Sequence, residues 1–353
     1  MGDAAAALAE RIRDASASGK PLRLRGGGTK DFYGGELRGD VLDTRAHAGI
    51  VGYEPTELVV TARCGTPLAE LEALLARERQ QLAFEPPHFG AGATIGGCIA
   101  AGLSGPRRAS AGAVRDFVLG VRLLDGRARD LSFGGQVMKN VAGYDVSRLM
   151  AGSLGVLGLV LEVSLKVLPR PPLEATARLE LPQDRAIESM NRWGGQPLPV
   201  SATAWRDGAL LVRLSGADSA VRAGLARVGG ERLGEADAAE FWAGIREQRD
   251  PFFAGDAPLW RLSVRSTAAP LALPGDTLLE WGGALRWLRG EGDAKAIREA
   301  AAKAGGHATR FRGGDRADCF APLPPALEKL HRGLKAAFDP AGILNPGRLH
   351  RGF

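Results

Sequence analysis

Glycine is the residue that most constrains what this chain can become. It occupies 49 of 353 positions, about twice the usual ~7%. Inside a helix or strand each glycine costs roughly 0.5–1 kcal/mol relative to alanine, so clustered glycines imply tight turns or backbone pressed close to a ligand. They cluster in three tracts of the first half, at residues 25–30, 86–105 and 143–158.

The first tract, Arg25, Gly26, Gly27, Gly28, Thr29 and Lys30, follows a short strand-like Leu22, Arg23, Leu24. Consecutive glycines let successive N–H groups converge on one point, and the flanking cations add positive charge, the chemistry a phosphate requires. The alternative is an ordinary glycine turn between strands. The spacing is neither GxGxxG nor GxxxxGK[ST], so nicotinamide-dinucleotide and P-loop readings find no support. The second tract holds Thr94, Ile95, Gly96, Gly97, Gly102, Leu103, Ser104 and Gly105. Its small residues let a planar or phosphorylated ligand lie against backbone, with Thr94 and Ser104 as hydroxyl donors. A tightly packed helix start is the alternative, with Ile95 and Ile99 as core and Cys98 as a small buried apolar residue. In the third tract, which begins at Gly143 and Tyr144, Asp145 caps a turn of helix, and Gly152, Gly155 and Gly158 recur at intervals of three. Three such clusters in about 150 residues are hard to explain by turns alone.

Other classes drop out on composition. Lys plus Arg 46 against Asp plus Glu 40 gives +6, with the signs interspersed and no groove-reading motif, so no nucleic-acid partner is expected. Cys64, Cys98 and Cys319 form no CxxC pair, which excludes a disulfide framework and an iron-sulfur ligand set. His47, His88, His307, His331 and His350 lack metal-site spacing, so no metal is expected. Asp3, Glu10 and Asp14 interrupt the N-terminus where a secretory signal needs an apolar run, and residues 149–161 are too short to span a bilayer. The expectation is a soluble, cytoplasmic protein without a transmembrane segment, starting with a surface helix.

Restricted φ and missing donors at Pro169, Pro171 and Pro172 mark an extended linker, placed here as the boundary between domains at residues 1–170 and 171–353. In the first part, residues 57–63 read as a strand, Thr66 as an N-cap with Pro67 at the first helical position, and residues 161–167 as a half-buried strand with Glu162, Ser164 and Lys166 outward. The second part alternates strands with helices near residues 184–193, 217–228, 236–249 and 294–304. Hairpins are expected at Asp207, Gly208 and at Gly282, Gly283. The fold class is α+β with an antiparallel sheet in the second domain. Arg107 and Arg108 read as solvated surface, His307 as structural, and most of the six tryptophans as core.

Residues 41–76, 84–120 and 133–171, together with the tail FDPAGILNPGRL at 338–349, resemble FAD-binding domains of the vanillyl-alcohol-oxidase and p-cresol-methylhydroxylase type. More narrowly they are similar to the FAD-binding E-subunit family of bacterial glycolate oxidases. The resemblance implies FAD held between subdomains of about 1–65 and 66–170, followed by a cap domain whose tail returns to the FAD domain. It implies that residues 25–30 and 94–97 hold the pyrophosphate. Gly102, Leu103, Ser104, Gly105, Arg115 and Asp116 would line the cofactor, and Gly152, Ser153, Gly155 and Val156 would complete the site. Many covalent members carry histidine where this chain has Gly28 or Thr29, so the FAD is expected to be non-covalent. The family implies a complex oxidising glycolate, with D-lactate as a further candidate substrate, in which a homologous flavoprotein subunit holds the main substrate site and an iron-sulfur subunit passes electrons on. Membrane association would come only through those partners. No catalytic residue is assigned. A stand-alone D-2-hydroxy acid dehydrogenase and a non-catalytic assembly or relay subunit stay open as alternatives.

Overall fold

The computed structural model describes residues 2–135, 145–316 and 318–352. Gly143 and Tyr144, at the start of the third glycine tract, lie outside them. Two antiparallel sheets organise the chain. The first orders its five strands Ile50–Glu54, Val59–Arg63, Leu159–Lys166, Val118–Leu124 and Asp130–Gly134. Leu159–Lys166 lies in its centre, and Leu161, Val163 and Leu165 are fully buried. One cluster joins Val163 and Leu165 to Leu68, Leu71 and Leu75 of helix Leu68–Arg77 and to Ile95, Cys98 and Ile99 of helix Ile95–Ala101. A second joins Leu159 and Leu161 to Leu8, Ala9 and Ile12 of the N-terminal helix Asp3–Ser18. Ser164, expected to face solvent, is buried instead because this strand has a neighbour on each side; its hydroxyl lies 2.8 Å from that of Thr61.

The helix after Val59–Arg63 also differs at its start. Pro67 occupies the N-cap position, and the Thr66 hydroxyl, instead of capping, accepts from Gly49 N–H at 2.9 Å and so ties down the preceding loop. The strand itself begins at Val59, because a 3-10 turn at Pro55–Glu57 and a left-handed Leu58 (φ 56°) precede it.

The second sheet has eight strands, in the order Glu231–Arg232, Leu173–Glu180, Ala209–Gly216, Val200–Arg206, Asp276–Glu280, Leu285–Arg289, Leu259–Ser263 and His307–Arg312. Helices Gln183–Gly194 and Asp218–Val228 cover part of it and Ala294–Lys303 another part. Leu278, Leu285, Trp287 and Phe311 pack instead on Tyr33, Ala101, Leu103 and Leu154, so the sheet closes over the N-terminal half. The hairpin at Asp207 and Gly208 forms as expected, with φ of 50° and 81°, the positive pair a two-residue turn needs. Five tryptophans, Trp193, Trp242, Trp260, Trp281 and Trp287, are buried. No helix among the described residues is long and apolar enough to cross a membrane.

Arg107 and Arg108 are not solvated surface. Arg107 is 7% exposed and donates to Glu85 and Glu174, while Arg213 donates to Glu85 at 3.0 Å, a buried charge network joining the two halves. Arg108 lies over the Trp281 ring, its guanidinium carbon 4.4 Å from the centroid. Both side chains are drawn inward by partners that are remote in sequence.

Helix Pro325–Phe338 and the residues after it run back to the first sheet. Buried Lys335 donates to Asp339 at 2.7 Å and to the carbonyls of Val156 and Leu344 at 2.8 Å each. Burial lowers its pKa, and Asp339 opposes that shift. Lys335→Met leaves the Asp339 carboxylate buried without its cation, so urea denaturation should show a loss of about 3 kcal/mol; an unchanged midpoint would refute the structural role.

Candidate functional site

Strand Leu22–Arg25 pairs in parallel with Asp40–Asp43 and ends in the glycine loop. Gly28 adopts φ 72°, and a Cβ on Gly27 would stand 1.5 Å from the Gly92 carbonyl oxygen. The first two glycine tracts therefore meet backbone to backbone. Among the described residues the N–H groups of Gly27, Gly28 and Thr29 have no acceptor. They open on a cleft lined by Arg23, Arg25, Lys30 and Arg348 against one carboxylate, Asp31. Asp31 accepts from Arg25 Nε at 3.1 Å and from Arg23, whose Nε is left buried without a partner. Lys30 donates to the His88 carbonyl at 3.2 Å, and burial lowers its pKa.

The structure brings most of the sequence-derived residues to this cleft, in unequal roles. Residues 25–30 line it with Thr94, Gly96, Gly97, Ser153 and Gly155. Thr94 caps helix Ile95–Ala101 by accepting from Gly97 N–H. The amides of Ile95 and Gly96 are engaged by the carbonyls of Thr66 and Cys64, and the Ile95 side chain is core. Gly102 and Gly152 permit a close approach: a Cβ on Gly102 would lie 2.7 Å from the Gly152 Cα. Val156 is buried beneath the cleft, its carbonyl taken by Lys335. Leu103, Ser104 and Gly105 line a second cavity, between the second glycine tract and the second sheet. Arg115 and Asp116 are exposed and line neither cavity; Asp116 accepts from the Ala113 amide at 2.8 Å.

Two cleft residues come from the tail. Asn345, in the left-handed region at φ 43°, accepts from Leu24 N–H at 2.7 Å and donates to the Leu154 carbonyl at 2.6 Å. Arg348 donates to the carbonyls of Tyr33 and Gly35, and burial brings its pKa down to about 10. The tail motif was visible in the sequence, but nothing local ties it to the glycine loop more than 300 residues away. Burial pushes the Cys64 and Cys98 thiols up to about 12, leaving both unsuited to nucleophilic work. His307 is exposed at an edge strand.

The second cavity is walled by Phe89, Leu103, Trp287 and Phe311 and holds Glu280 and Arg261. Glu280 accepts from Trp287 Nε1 at 2.7 Å. Burial raises its pKa to about 7, against opposing pulls from that hydrogen bond and the Arg261 charge. No sequence motif announced it; only the sheet register sets Glu280 opposite Leu285 and Arg261 opposite Trp287.

The FAD binding domain family matches residues 3–148, and the C-terminal domain family of FAD linked oxidases matches residues 323–349. Both belong to FAD-linked oxidoreductases. The chain is 48% identical to the glycolate oxidase subunit GlcE of Escherichia coli over 99% of its own length and 98% of that protein. It is 32% identical to a D-lactate dehydrogenase of Archaeoglobus fulgidus over 42% of this chain and 34% of that one. To glycolate oxidase subunit GlcD of Bacillus subtilis it is 33% identical over 44% and 33%. A solved alkyldihydroxyacetonephosphate synthase shares the fold, with a TM-score of 0.65 at 15% identity over 96% of this chain and 74% of that one. The chain belongs to the family of glycolate oxidase subunit GlcE, and FAD is its cofactor. The residues present fit that group: unpaired loop amides and a cleft of net positive charge suit a diphosphate.

Two outcomes follow. Gly27→Ala should cut the flavin-to-protein absorbance ratio by about tenfold, since its methyl collides with a carbonyl that cannot swing aside; a normal ratio in a folded variant would refute the loop packing. Glu280 contributes stability fully present below its unfolded value of 4.5 and lost as pH rises through about 7. Glu280→Gln, which keeps an acceptor for Trp287, should gain on the parent by on the order of 2–3 kcal/mol between pH 5 and about pH 8. Parallel melting curves across that range would refute it.

Proposed function

We propose that this chain is the FAD-binding subunit of a complex that oxidises glycolate, and other small 2-hydroxy acids such as D-lactate, to the 2-oxo acid. The observation that carries the reading is the near end-to-end match to a glycolate oxidase subunit, combined with a cleft whose open amides and excess cations suit a dinucleotide. Bound FAD supplies the two-electron acceptor for an alcohol carbon beside a carboxylate. The amides of Gly27, Gly28 and Thr29, with Arg23 and Arg25, hold the diphosphate. Thr94, Gly97, Ser153 and Gly155 shape the cleft walls, and Asn345 fixes the strand and turn on which that shape depends. No histidine stands at Gly28 or Thr29, so the FAD is held without a covalent bond. Residues 1–170 form the FAD-binding domain and residues 171–353 the cap.

The partners are a GlcD-type flavoprotein subunit and an iron-sulfur subunit. Cys64, Cys98 and Cys319 are separate and buried, which agrees with a cluster carried on another chain. The test is to purify the chain alone and with its partners. Acid precipitation should release all the flavin, and steady glycolate turnover should need the assembled complex. Full turnover by the isolated chain would overturn the subunit reading in favour of a stand-alone dehydrogenase, and flavin retained in the acid pellet would overturn the non-covalent one.

A further inference from the structure

Four cations line the cleft at the glycine loop, and they are engaged in two different ways. Lys30 donates to the His88 carbonyl at 3.2 Å, and Arg348 donates to the carbonyls of Tyr33 and Gly35. Main-chain carbonyls held in turns do not swing aside, so these two cations are fixed. Arg23 and Arg25 instead meet a side chain, the carboxylate of Asp31. Alternation along strand Leu22–Arg25 puts both arginines on one face. The Asp31 amide donates to the Gly28 carbonyl at 3.0 Å, which keeps its carboxylate beside them.

Two observations mark this contact as one that exchanges. The first is exposure. The side chains of Arg23, Arg25 and Asp31 are 22, 37 and 30% exposed, whereas Arg107 and Glu85, in the network that joins the two halves, are 9 and 15% exposed. An ion pair that water reaches adds little stability and opens readily. The second is position. Arg25 lies against the glycine loop itself: a Cβ on Gly28 would stand 2.7 Å from its guanidinium carbon. The amides of Gly27, Gly28 and Thr29, without an acceptor among the described residues, therefore open beside the guanidinium that Asp31 holds. Arg23 keeps a buried Nε with no partner, so one carboxylate does not satisfy two planar forks. A diphosphate brings more oxygens and more charge to the same donors, and its charge repels a carboxylate left among them.

We propose that Asp31 competes with the diphosphate of FAD for Arg23 and Arg25, giving up both arginines when the cofactor binds and so limiting how tightly it is held. Asp31 is then a built-in counter-anion that keeps the flavin exchangeable. The diphosphate as the competing ligand rests on the function proposed above; the exchange of anions at the two arginines does not.

Calorimetric titration of the flavin-stripped full chain with FAD, and separately with inorganic pyrophosphate, tests this. Asp31→Asn should bind each about tenfold more tightly than the parent, roughly 1.4 kcal/mol. Its affinity should also fall more steeply with added salt, because two freed cations add to the charge of the site. A residue that only shaped the turn would leave that salt dependence as it is, so tighter binding with an unchanged salt dependence would overturn the proposal. FAD affinity within about twofold of the parent, or weaker, would overturn it as well and leave the flavoprotein reading intact. Tighter and more salt-sensitive pyrophosphate binding by Asp31→Asn in a chain that takes up no FAD would uphold the exchange and remove that reading. Should Asp31→Asn fail to fold, Asp31→Ser, which removes the charge from the same turn, decides by the same measurements.

Discussion

The cleft exists because two glycine tracts touch through backbone alone. A side chain at Gly27 would overlap the Gly92 carbonyl, and one at Gly26 would stand 2.3 Å from the Thr94 hydroxyl. With nothing between the loops, the first loop can present its amides at short range to whatever enters. The helix that begins after Thr94 is held in turn, since Cys64 and Thr66 accept from its leading amides. The first sheet thus reaches the ligand site through short hydrogen-bonded steps, and the packing of Leu161, Val163 and Leu165 inside it keeps those steps rigid.

The second sheet contributes differently. It brings no glycine loop, but it places aromatic and charged groups against the first half. Tyr33, Phe32 and Phe89 meet Phe311 edge to face or tilted, with centroids 5.0 to 6.3 Å apart. Together with the Glu85, Arg107, Glu174 and Arg213 network, these contacts make the joint both apolar and ionic. Charged groups in such a joint work in a low dielectric, which is how Glu280 comes to titrate near neutrality.

Much of this was legible in the sequence. The three glycine tracts, the α+β class, the hairpin at Asp207 and Gly208 and the helices Gln183–Gly194, Asp218–Val228, Glu235–Arg246 and Ala294–Lys303 follow from local pattern, whereas helix Pro325–Phe338 was not anticipated, and the family resemblance holds over nearly the whole chain. What sequence reading missed depends on distant partners. Arg107 looks like any surface arginine until Glu85 and Glu174 are brought to it. Thr66 looks like a cap until Gly49 claims its hydroxyl. Asn345 and Arg348 act on Leu24, Leu154, Tyr33 and Gly35, contacts that no window of neighbouring residues contains. Arg115 and Asp116, which the resemblance set beside the cofactor, are exposed and line neither cavity.

Asn345 and Arg348 also govern the order of assembly. The hydrogen bonds that steady the first strand and the turn after the glycine loop come from residues 321 and 313 positions downstream. During synthesis the amino-terminal half therefore emerges with its nucleotide cradle unfinished, since these clasps are translated more than 300 residues later. A protein cut ahead of Asn345 would lack the clasps on Leu24, Leu154, Tyr33 and Gly35 while keeping most of its core.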